Sequence, residues 1–68
     1  MNEDALNVSV RKFLKKVGVA SQREIEKAVR DAAARGGLQP NEKLAATMTL
    51  HIAGVGLTFA IDGEIEAD

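Results

Sequence analysis

The sequence predicts an α+β fold: a two-helix hairpin packed on one face of an antiparallel two-stranded β-ribbon, in the order α-α-β-β. Two amphipathic helical stretches fill the first half of the chain. The second half alternates in hydrophobicity around a short glycine-containing loop, Ala53-Gly54-Val55-Gly56. At 68 residues there is room for a single domain, residues 1–68, with one small core. A chain of this size buries only about 60% of the surface its unfolded form exposes.

The first helix is expected over residues 3–17. Asn2 is its N-cap, and Glu3 and Asp4 suit the positive end of the helix dipole. Leu6, Val10, Phe13, Leu14 and Val17 recur at helical spacing and form one apolar stripe, with Arg11, Lys12, Lys15 and Lys16 on roughly the opposite side. Gly18 is expected to end this helix, since glycine accepts the positive φ of a helix terminus.

The second helix is expected over residues 22–35. Ser21 followed by Glu24 has the spacing of a capping box. Ile25, Ala28, Val29, Ala32 and Ala33 form its inner stripe. Glu26–Arg30, Lys27–Asp31 and Asp31–Arg35 are opposite-charge pairs four residues apart, each worth about 0.2–0.5 kcal/mol. Gly36-Gly37 closes the helix, and Gln39-Pro40-Asn41 is a connecting turn in which Pro40 bars further helix.

Strands are expected over residues 43–52 and 57–66. Placing Ile52 opposite Leu57 aligns Leu50 with Phe59, Met48 with Ile61, Ala46 with Gly63 and Leu44 with Ile65. A slip of one residue would turn this whole apolar set to water, so the register is strongly specified. It also sets Lys43 opposite Glu66, an attractive pair. Asp62-Gly63 has the composition of a hairpin turn, but Ile65 stays in phase with Leu57, Phe59 and Ile61, which favours one long strand. Both ribbon edges are left unpaired, so protected edges or pairing of two ribbons is expected.

No residue pattern points to catalysis, and the expectation is that the chain is not an enzyme. His51, the one histidine, falls on the polar face opposite Thr58, with neither an orienting partner nor a pocket beside it. Gly54-Val55-Gly56 lacks the Lys-Ser/Thr of a phosphate loop. Asp62, Glu64 and Glu66 share a strand face but spread over about 13 Å, too far to converge on one cation. No cysteine is present for a disulfide or a thiolate zinc site. No cofactor, no metal and no catalytic residue is therefore assigned.

Charge is divided along the chain. From Ala5 to Arg23 every charged residue is basic, whereas Asp62, Glu64, Glu66 and Asp68 make the far end acidic. Arg11, Lys12, Lys15 and Lys16 are the candidate binding surface. They could meet phosphates, and the order of helix, glycine turn, helix and ribbon is similar to that of a winged helix-turn-helix. Two features oppose this reading. The apolar residues of the second helix, Ile25 and Ala28, sit one step later than that motif requires, and the helix carries a mixed surface of Glu24, Glu26 and Asp31 among Arg23, Lys27 and Arg30. No apolar run approaches the length of a membrane span, and the polar, acidic start Met1-Asn2-Glu3-Asp4 is unlike a secretory signal. A cytoplasmic location without membrane attachment is expected.

The chain resembles a family of short uncharacterised bacterial proteins, a conserved domain of unknown function. The resemblance rests on Met1-Asn2-Glu3-Asp4, on Arg11 through Val19, on Ser21 through Glu26, on Met48-Thr49-Leu50 and on Phe59 through Gly63. It implies a free-standing bacterial cytoplasmic protein and brings no activity with it. The function expected is that of a small protein-interaction or self-associating domain; the alternative is a nucleic-acid-binding module using the basic face of the first helix.

Overall fold

The computed structural model describes residues 1–67. One long helix, α1 (Glu3–Ala34), precedes an antiparallel ribbon of β1 (Lys43–Ile52) and β2 (Leu57–Glu66). The chain divides into two compact units, Met1–Gly37 and the residues from Leu38 onward.

The two-helix hairpin is overturned. Residues 3–17 and 22–35 do not form separate helices: α1 runs unbroken through Gly18 and Ser21 for 32 residues, about 48 Å at 1.5 Å per residue. The fold is α+β, but its order is α-β-β. Gly18 lacks the positive φ that a terminating glycine adopts, and the Ser21–Glu24 capping box is not formed. A glycine inside a helix costs about 1 kcal/mol relative to alanine. Ending the helix there would forfeit several backbone hydrogen bonds, expose new orphan amides and carbonyls, and require a second nucleation. With no proline between Glu3 and Ala34, continuation costs less.

The ends of α1 are built as the sequence predicts. Asn2 accepts a hydrogen bond at its Oδ1 from the Ala5 amide at 3.0 Å, with Glu3 and Asp4 in the first turn. At the other end Gly36 takes φ +71°. Its amide donates to Ala33 O at 3.0 Å and the Gly37 amide to Ala32 O at 2.9 Å, the two bonds of a Schellman terminus.

Unbroken, α1 joins its two apolar stripes into one. Leu6, Val10, Leu14, Val17, Ser21, Ile25, Ala28 and Ala32 follow successive spacings of 4, 4 and 3 residues. That is an 11-residue repeat, three turns of 3.67 residues, so the stripe stays on one side of a nearly straight helix. Val17, Ser21 and Ala32 are half-buried along it; Leu6, Val10, Phe13 and Leu14 are exposed.

Between the units' regular elements, Gln39 to Glu42 forms a tight turn. The Glu42 amide donates to Gln39 O at 3.2 Å, and the Gln39 amide donates to Glu42 Oε1 at 2.8 Å. Pro40 at the second position and Asn41 at the third, with φ +61°, are what a type II turn demands.

The ribbon has the register set by the alternation, from Lys43 opposite Glu66 to Ile52 opposite Leu57. β2 passes straight through Asp62 and Gly63, which lie opposite Thr47 and Ala46. A single 3-10 turn, Ala53–Val55, connects the strands. Gly56 closes it at φ +63°, its amide donating to Ala53 O at 3.1 Å. Leu44, Ala46, Leu50 and Ile65 are half-buried on the apolar face, while Met48, Leu57, Phe59 and Ile61 remain exposed.

Gly18→Ala should stabilise α1 by up to about 1 kcal/mol in denaturant unfolding, because a Cβ there meets no atom within 4 Å. Gly36→Ala should destabilise by about 1–2 kcal/mol through its left-handed backbone. A destabilising Gly18→Ala would restore the broken helix.

Candidate functional site

Of the basic cluster, Lys12, Lys15 and Lys16 lie on the side of α1 away from the apolar stripe, and Arg11 lies at the stripe's border, three residues before Leu14. All four side chains are exposed, and none is in an ion pair among the described residues. Continuity of the helix enlarges this face beyond the sequence-based set. Steps of 3, 4 and 7 residues carry it from Lys12 and Lys16 to Arg23, Lys27 and Arg30. Val8 and Val19, 66% and 52% exposed, sit within the same face. The turn expected after Gly18 concealed this extension, since it would have pointed the later cations elsewhere.

Glu26 interrupts the basic face. Its Oε1 lies 3.4 Å from Arg30 Nη2, and its Oε2 accepts from Gln22 Nε2 at 3.1 Å. Of the three charge pairs expected along this segment, Glu26–Arg30 is closed, and the other two are not within ion-pair distance among the described residues. A shallow hollow lined by Val19, Gln22, Arg23 and Glu26 lies alongside. The helix-turn-helix likeness fails here: without a turn there is no separate recognition helix to seat in a groove.

On the ribbon's polar face, His51 and Thr58 are cross-strand partners with Nδ1 and Oγ1 3.1 Å apart. Thr47 Oγ1 donates to Asp62 Oδ1 at 2.9 Å, so the first of the three outward carboxylates is held by a neighbour. Glu64 and Glu66 lie opposite Ala45 and Lys43. A second hollow at the open end of the ribbon is lined by Asn41, Glu42, Lys43 and Glu66. His51 with Thr58 and Thr47 with Asp62 pair across the strands, whereas Glu64 faces Ala45 and Lys43–Glu66 is not within ion-pair distance among the described residues.

The remaining large surface is apolar. Among the described residues none is buried, although hydrophobic residues make up 46% of the chain. Phe13 and Leu14 on α1 are 48% and 52% exposed, and Phe59 and Ile61 on β2 are 52% and 59% exposed. No described helix is long and apolar enough to cross a membrane.

A family model matches residues 1–68, the whole chain. The chain belongs to the family of unknown function DUF6494. It matches no curated protein and no solved structure. Family membership thus leaves the reading of the surface to its physical chemistry.

Lys12→Glu with Lys16→Glu should leave helicity by circular dichroism intact and shift stability by no more than about 0.5 kcal/mol, since both residues are exposed and in no ion pair among the described residues. A loss of several kcal/mol would show that the basic face is a structural contact.

Proposed function

We propose that this chain is a non-enzymatic protein-interaction domain that works by self-association, its apolar faces covered by another copy. The observation that carries this reading is that neither unit, taken by itself, buries a single side chain among the described residues, in a chain this rich in hydrophobic ones. Soluble monomers rarely leave a contiguous apolar patch beyond a few hundred Å² uncovered. Helices, moreover, draw most of their stability in proteins from packing an amphipathic face. The lack of cysteine fits a reducing compartment, and we place the protein in the cytoplasm.

The second reading, nucleic-acid binding through Arg11, Lys12, Lys15 and Lys16, gains support from the alignment of Arg23, Lys27 and Arg30 on the same face. Glu24, Glu26 and Asp31 weaken it, because carboxylates within the footprint repel phosphates. Binding of this kind would fall steeply with salt through counterion release, whereas apolar association would not.

Sedimentation equilibrium from micromolar to millimolar protein should reveal a dimer or larger species that persists at high salt. A monomer across that range would end the self-association reading. Amide shifts confined to residues 11–30 on adding duplex DNA, vanishing with salt, would put the second reading in its place.

A further inference from the structure

We infer that α1 pairs with α1 of a second copy in antiparallel orientation, stripe against stripe. This rests on the self-association proposed above and names its surface and geometry.

The stripe is graded in size. Its N-terminal half presents Leu6, Val10, Phe13, Leu14 and Val17, and its C-terminal half presents Ser21, Ile25, Ala28 and Ala32. The distance between packed helices follows the side chains at the contact. A parallel pair would set Leu6 against Leu6 and Ala32 against Ala32, wide at one end and tight at the other. An antiparallel pair centred near residue 19 brings Leu6 level with Ala32, Val10 with Ala28, Phe13 and Leu14 with Ile25, and Val17 with Ser21. Three of these four layers join a larger residue to a small one, Phe13 and Leu14 against Ile25 being the exception, so the interhelical spacing varies less along the contact than in a parallel pair.

Charge selects the same orientation. Glu3 and Arg35 stand on the stripe's own face at its two ends, because the 11-residue repeat extends back to Glu3 and Arg35 adjoins its next step. Antiparallel pairing brings Glu3 of one copy level with Arg35 of the other, twice per dimer. The parallel alternative would oppose Glu3 to Glu3 and Arg35 to Arg35. The cationic block of Arg11, Lys12, Lys15 and Lys16 lies mostly outside the seam in either orientation, so the end charges on the stripe's own face make the choice. In the antiparallel pair each dipole's positive end lies beside the other's negative end. An 11-residue repeat gives a nearly straight contact with slight right-handed coiling, so the seam runs from Leu6 to Ala32, about 39 Å.

The cysteine-free chain makes disulfide trapping clean. Val10→Cys and Ala28→Cys chains, mixed in equal amounts in a glutathione redox buffer, should form the Val10–Ala28 mixed disulfide in excess over both symmetric products. Dominant symmetric disulfides would establish a parallel pair and overturn the inference. If unmodified protein sediments as an oligomer but no disulfide forms, the copies meet elsewhere; the helix seam then falls and self-association stands. A monomer by sedimentation removes both. Should either core variant fail to fold, a nitroxide on Val8→Cys, outside the stripe, decides the matter. Antiparallel pairing separates the two labels by about 33 Å along the axis, and parallel pairing sets them level, roughly 20 Å apart across the pair.

Discussion

Everything about this chain turns on apolar surface that must leave water. Its ribbon offers one face of Leu, Met, Ile and Phe, and its helix offers a stripe of Leu, Val, Phe and Ile. Among the described residues, neither supplies one buried side chain. A two-stranded ribbon is marginal by itself, and so is a helix with no packing partner. Local devices define these elements well: the Asn2 cap, the Schellman terminus at Gly36-Gly37, the Pro40-Asn41 turn and the Gly56 hairpin closure. Caps and turns contribute on the order of 1 kcal/mol apiece. They specify where elements begin and stop; they do not replace a core.

Helix continuity through Gly18 converts these local choices into continuous surfaces. One unbroken α1 aligns two short stripes into a single stripe with an 11-residue period, and aligns the basic residues along the other side. The same alignment separates two kinds of chemistry, apolar packing and cation display, on a single rod. Glu26, engaged by both Gln22 and Arg30, tempers the cationic side where the later residues join it.

The ribbon's register was legible in the sequence because two constraints combine. The period of two sets which face is apolar, and the short Ala53–Gly56 loop sets Ile52 against Leu57, which leaves Met48, Ile61 and Phe59 on one side. Phase also settled Asp62-Gly63, where the turn-forming dipeptide gave way to the position of Ile65. The helix break was misread because glycine has two meanings. Gly18 could close a helix only with positive φ, which its identity permits but does not impose, and Ser21–Glu24 is spaced alike in a capping box or mid-helix. A usable signal was present: Leu14, Val17, Ser21 and Ile25 keep helical phase across Gly18, which a turn would have no reason to preserve. The late position of Ile25 and Ala28 for a helix-turn-helix had the same origin. Of the candidate surface, the four N-terminal cations were legible as one face, but its continuation to Arg23, Lys27 and Arg30 depended on the unbroken helix.

Thermal unfolding, followed by circular dichroism over a wide range of protein concentration, addresses the central claim most directly. If folding draws its core from a second copy, Tm must rise with concentration, because association stabilises the native state by mass action. A cooperative transition whose Tm is independent of concentration would contradict it and show that one chain suffices to hold the fold.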